Sequence, residues 1–201
     1  MPSDQVLTER FARLGTVFRS GDAVASGISW RDLYSARDRG LIVDLSRGLF
    51  RLGESGKLAH EDFVVVCARA RGGMICLGSA LSYWGLSDEK AGPIDFAVPT
   101  GSHRPRIDRP ETLVHVFHSS TFELGRMWSE VQFGAGFWMS DPVRTLVDCF
   151  RLRSTLGEDV AAGALRRYVR RGDASPGALM EMASHFRVRP VILHALRYVV
   201  G

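Results

Sequence analysis

Residues 20–52, SGDAVASGISWRDLYSARDRGLIVDLSRGLFRL, set out two short helices and a hairpin in immediate succession. Ser20 is placed to cap a helix through Asp22, Ala23, Val24 and Ala25, since a serine hydroxyl accepts from the free amides of a first helical turn. Ser26-Gly27-Ile28 then makes a tight turn, with Gly27 taking the positive φ that a Cβ resists. Ser29 caps the next helix, residues 30–39, where Leu33 and Ala36 fall three apart on one face and Arg31, Ser35 and Asp38 project from the other. Gly40 ends it. Residues 41–43 and 49–52 read as strands around a turn at 44–48, which puts Arg47 near the hairpin tip. Upstream, Leu7, Phe11 and Leu14 stand at helical spacing and supply a first helix to pack against. Helix, helix, turn, helix and hairpin in that order are the layout of a winged helix-turn-helix, assigned to residues 1–54.

Such a layout implies double-stranded DNA as partner. The helix after the turn presents its first residues to base edges in the major groove, and arginine is the side chain that reads guanine with two hydrogen bonds. Arg31 is the base-reading candidate. Trp30 and Tyr34 admit two readings, stacking on sugar or a thymine methyl, or packing inward on the first helix and the hairpin. Arg37, Arg39 and Arg47 suit phosphate or minor-groove contacts, which set register and affinity without reading sequence. The same helical pattern also serves as a protein-interaction module, and in that case these arginines are a solvated basic face.

The chain has 201 residues, 45% of them hydrophobic, enough for a second domain after the first. Its net charge of +4 is uneven, +2 over residues 1–60, −2 over 61–139 and +4 over 140–201. Arginine makes up 24 of the 26 basic residues, a bias that a GC-rich genome produces without functional cause. Cys67, Cys76 and Cys149 show no CxxC spacing and no even count, which argues against disulfides or zinc and suits a reducing cytoplasm. The first residues lack a signal-peptide pattern and no stretch is long enough to span a bilayer, so a cytoplasmic protein with no membrane partner is expected.

Residues 58–201 read as a mixed α/β domain with a helical tail, making the whole chain α+β. Helices are predicted at 60–70, at 78–86 with Ser79 as cap and Gly85 as stop, and from Asp141-Pro142, where Arg144 and Asp148 can pair structurally at i,i+4. Residues 94–99 and 113–118 alternate like strands, joined by a loop carrying Arg104, Arg106 and Arg109, and 130–139 has strand character interrupted by Gly134 and Gly136. A helix over 159–171 gathers Arg166, Arg167, Arg170 and Arg171 on one arc, opposite Ala161, Ala162, Leu165, Tyr168 and Val169. That stripe is either a surface for an anionic partner or a solvated face. Two more helices, 176–185 capped by Ser175 and 190–200, each start with proline.

Gly78-Ser79 followed by Asp95 loosely echoes a nucleotidyltransferase site, whose chemistry needs paired carboxylates holding metal. Ala97 stands where the second acid belongs. A degenerate enzyme of this kind is the rival reading. No Lys-bearing Gly-rich phosphate loop, HExxH or GxSxG is present, and His115 and His118 point to opposite faces of a strand. No catalytic residue, metal or cofactor is expected.

Gly27-Ile28-Ser29, Arg47-Gly48-Leu49-Phe50, Ser79-Ala80-Leu81, Trp84-Gly85-Leu86 and the segment from Asp141 to Asp148 together resemble, in order and spacing over nearly the whole chain, the AbiEi-type antitoxins of type IV toxin-antitoxin and abortive-infection systems. The resemblance implies a winged-helix repressor of its own operon, whose C-terminal domain opposes a separately encoded nucleotidyltransferase toxin. It places the DNA role on Ser29, Arg31, Ser35, Arg37 and Arg47. Some relatives carry a further endonuclease-like domain, and with a chain ending at Gly201 that activity is not expected here. A dimer or cooperative binding on DNA is left open, since no heptad series or long apolar surface marks an interface.

Overall fold

In the computed structural model, which describes residues 3–88, 92–107 and 109–200, Ser3 caps α1 (Asp4–Ala12) by accepting from the Val6 amide. Leu7 and Phe11 of α1 are buried, and Phe11 stacks on Phe18 of β1 (Val17–Arg19) with ring centroids 5.2 Å apart. β1 runs straight into α2 (Ser20–Ala25). Arg19 therefore occupies the capping position with no side-chain cap, and Ser20, predicted as the cap, is the first residue of the helix. Gly27, at φ 87°, turns the chain into α3 (Trp30–Asp38). β2 (Ile42–Ser46) and β3 (Leu49–Leu52) follow. β2 extends three residues beyond its predicted end by taking an irregularity between Asp44 and Ser46, which shortens the turn to Arg47 and Gly48.

The three strands form an antiparallel sheet in the order β1-β3-β2, with Phe18 opposite Phe50. The two rings stack at 6.0 Å, so an aromatic ladder links α1 to the sheet, each such pair adding about 0.5–1.5 kcal/mol beyond its buried area. Ala23, Ile28, Leu33, Ala36 and Ile42 complete this core.

After a short 3-10 turn, α4 (Glu61–Arg69) buries Val64, Val65 and Val66. The first of two compact units takes in the described residues up to Arg71 together with Ser129–Phe137, so it runs past residue 54, the limit read from the sequence. The reason is the apolar face of α4: Phe63 meets Phe137 edge-on at 5.2 Å, while Thr16 Oγ1 donates to Phe133 O at 2.6 Å and Gln132 Nε2 to Ser55 O at 3.1 Å. The outer limits of the predicted domains, residues 1 and 201, lie outside the described residues.

The second unit comprises the described residues of Gly72–Trp128 and those from Trp138 onward. Its elements are β4 (Met74–Ile75), α5 (Leu77–Tyr83), β5 (Ile94–Pro99), β6 (Thr112–Phe117), the outer ends of the hairpin β7 (Arg126–Gln132) and β8 (Ala135–Ser140), whose middle, Ser129–Phe137, belongs to the first unit, then α6 (Pro142–Arg151), α7 (Arg153–Leu156), α8 (Glu158–Val169), α9 (Pro176–His185) and α10 (Arg189–Val200). The sheet order is β6-β5-β4-β8-β7, with β5 antiparallel to β4 and parallel to β6. Residues predicted as one interrupted strand over 130–139 are two strands turning at Phe133 and Gly134.

α6 is the centre of this unit, with every residue from Arg144 to Phe150 buried. Asp141 caps it by accepting from the Arg144 amide at 2.6 Å, and Pro142 fills the first position. The Arg144 Nε donates to Asp148 Oδ2 at 2.8 Å, with both side chains fully buried, the structural pair expected from the spacing. Gly125, at φ 66°, lets the chain pass close by: a Cβ there would stand 2.5 Å from that of Arg144. Cys76 and Cys149 are buried in the same core, and burial pushes both thiols above their usual pKa.

In the second unit, α5 and α8 depart from their predicted limits. α5 starts at Leu77 with Cys76 as its cap residue, because the Ser79 hydroxyl instead accepts from the Asp95 amide at 2.9 Å. α8 ends at Val169, so Arg170 is its C-cap and Arg171 lies beyond it. Among the described residues no helix is long and apolar enough to cross a membrane.

Candidate nucleic-acid interface

α3 owes its position to Leu33 and Ala36, both fully buried, and a leucine so placed contributes roughly 1.5–3 kcal/mol. Its start is fixed by Ser29, whose Oγ accepts from the Asp32 amide at 3.1 Å and donates to Asp32 Oδ2 at 2.8 Å. The Ser29 hydroxyl is thus engaged in capping. One consequence of this anchoring is that the opposite face is turned toward solvent. Trp30 and Tyr34 are 50% and 44% exposed, so neither ring packs into the core. They stack on each other at 5.9 Å, and the Arg37 guanidinium lies over the Tyr34 ring at 4.9 Å, giving a continuous aromatic and cationic row along the helix.

The arginines divide by their partners. Arg31, in the first turn of α3, is exposed, and Arg47 is exposed at the hairpin turn; among the described residues neither guanidinium has a hydrogen bond or ion pair. Arg37 instead donates to Asp38 at 2.8 Å and approaches Asp44 at 3.8 Å, and its pKa is raised chiefly by the hydrogen bond to Asp38. Arg39 pairs with Asp4 and donates from Nε to Ser35 O at 3.2 Å. Sequence reasoning found the two open arginines but had no signal for these acids, which come from α1, β2 and the end of α3.

The C-terminal stripe splits the same way. Arg166 and Arg170 are exposed. Arg167 pairs with Asp88, and Arg171 holds Asp173 at 2.8 Å while donating to Trp84 O at 3.0 Å. Elsewhere in that unit, Asp95 is held by His115 Nε2 at 2.7 Å, and Ala97 is fully buried opposite Met74. Among the described residues no group of three or more His, Cys, Asp or Glu side chains is arranged to hold a metal ion.

Residues 5–53, the segment that builds α1 through β3, match the model of a family described as transcriptional regulator, AbiEi antitoxin. Across a larger part of the chain, the crystal structure of RV2827C protein from Mycobacterium tuberculosis has a similar fold, with a TM-score of 0.58, 18% sequence identity, and coverage of 92% of this chain and 72% of that one. No curated protein matches the chain in sequence.

Proposed function

We propose that this protein is a sequence-specific DNA-binding repressor of its own operon, in which residues 1–54 act as a winged helix-turn-helix. α3 is the recognition helix and the β2–β3 hairpin the wing. The outward face of α3 carries the proposal, with an unengaged Arg31 in its first turn beside the Trp30–Tyr34 stack. The match of residues 5–53 to a family of transcriptional regulators supports it. Arg31 reads a base, Ser35 lies on the same face, and Trp30 and Tyr34 contact sugar or thymine methyl. Arg47 binds phosphate directly, whereas Arg37 and Arg39 reach phosphates by exchanging their carboxylate partners. The second unit opposes a separately encoded nucleotidyltransferase toxin, making the chain a non-catalytic cytoplasmic antitoxin. Arg166 and Arg170 are the exposed cations available to an acidic face of that partner.

The test is binding to a duplex from upstream of its own gene against a scrambled duplex, measured across salt. Affinity falls steeply with salt, Arg31→Ala loses about 1–3 kcal/mol and relaxes discrimination, and Arg47→Ala weakens both duplexes alike with a salt slope reduced by about 1. Equal affinity for the two duplexes sinks the repressor reading, and no binding even at low ionic strength points to a protein-interaction role. In the same series, Arg166→Glu with Arg170→Glu leaves duplex binding intact and abolishes toxin neutralisation; unchanged neutralisation removes that surface. Paired half-sites in the protected region mark binding as a dimer.

A further inference from the structure

Four arginines converge on a cleft of about 420 Å³ within the first unit. Arg19 ends β1, Arg47 forms the β2–β3 turn, Arg69 closes α4, and Arg71 follows two residues later. Two of them are held by neutral groups: Arg19 donates from Nε to Ala68 O at 3.1 Å, and Arg69 donates from Nη1 to Ser46 Oγ at 3.0 Å and Arg47 O at 3.2 Å. Carbonyl and hydroxyl partners orient a guanidinium without cancelling its charge, and each guanidinium has five N–H donors to place. Asp22 is the one carboxylate in the described lining, and it pairs with Arg71 at 3.1 Å. Positive charge is therefore in excess. Arg19 registers it, with a pKa lowered first by burial and then by Arg71, against the pull of Asp22 and with a further push from Arg69.

We propose that this cleft is a phosphate-binding site, in which Arg69 and Arg71 join Arg19 and Arg47 to clamp a DNA backbone phosphate beside the hairpin. Guanidinium forks match phosphate oxygens in pairs, and a dianion or diester placed here relieves the repulsion that Arg71 and Arg69 exert on Arg19. Arg69 and Arg71 lie beyond residues 5–53, so the clamp adds to the matched segment a part it does not contain. The inference rests on the DNA-binding reading, but its chemistry is separable, because free phosphate presents the same oxygens.

The experiment compares wild type with Arg69→Gln, Arg71→Gln and the double variant, all checked for unchanged thermal unfolding. Arg69 also ties the hairpin to α4, so Arg71→Gln, which loses an ion pair with exposed Asp22, guards against a folding artefact. Binding to a duplex of arbitrary sequence is measured between about 50 and 200 mM salt, and inorganic pyrophosphate is titrated by calorimetry. Each substitution is expected to lower duplex affinity roughly 10-fold near 0.1 M salt and to reduce the salt slope by about 1. Wild-type duplex binding with unchanged slopes in Arg71→Gln and the double variant overturns the clamp and leaves the DNA reading intact. Pyrophosphate binding that the variants lose, without duplex binding by wild type, assigns the cleft to free phosphates and removes the DNA reading. Failure to bind either probe overturns both.

Discussion

Arg144 is a guanidinium with no exposed surface, and its surroundings explain how the fold tolerates it. Asp148 meets Nε, the Thr121 carbonyl accepts from Nη1 at 2.8 Å, the Leu124 carbonyl accepts from the same nitrogen, and the Phe186 ring lies 4.4 Å from the guanidinium carbon. Arg151 Nη2 reaches the second oxygen of Asp148 at 3.0 Å. A buried pair of this kind adds little net stability by existing, but removing one partner strands the other charge away from water. Arg144→Ala is expected to lower unfolding stability by about 3–5 kcal/mol, read as a shift of the urea midpoint at unchanged slope. A midpoint within about 0.5 kcal/mol of wild type contradicts this account. The spacing of Arg144 and Asp148 was visible in the sequence; the carbonyls of Thr121 and Leu124 were not, since nothing local marks a distant loop as an acceptor.

Some elements were announced by polar punctuation, and α3 shows why. Ser29 before the helix and Gly40 after it each satisfy a backbone group that the helix leaves open, and such groups recur at every terminus. Ser29→Ala removes the acceptor for the Asp32 amide and is expected to cost about 1 kcal/mol, measured by thermal or urea unfolding. Asp141-Pro142 and Ser175-Pro176 were legible for the same reason. The strands β1 and β4, of three and two residues, and the four-residue α7 were not predicted, because such short runs carry too little periodicity to register. Ser20 and Ser79 misled, as serine hydroxyls have acceptor roles other than capping. Within the candidate interface, Arg31 and Arg47 follow from helix facing and hairpin position. Arg19, Arg69 and Arg71 could not be grouped from sequence, because three elements must fold before their side chains meet.

At the scale of the whole molecule, the chain completes its first unit with residues that follow a long excursion through the second. A fragment ending at Arg71 keeps α1 to α4 but loses the Phe137 ring on Phe63, the Thr16 bond to Phe133 and the Gln132 bond to Ser55. That fragment is expected to unfold at lower temperature and with lower cooperativity than the same residues in the full chain, followed by amide hydrogen exchange on α4. Equal protection of Val64 to Val66 in both shows that the returning hairpin does not support α4. The returning hairpin also bears on how the protein is made and how it evolves. On the ribosome, this first half cannot finish folding when the residues up to Arg71 emerge, but waits until Phe137 has cleared the exit tunnel. For the same reason a single genetic crossover cannot move this half intact to another protein: two segments must travel together, which ties the fate of the front of the chain to its middle.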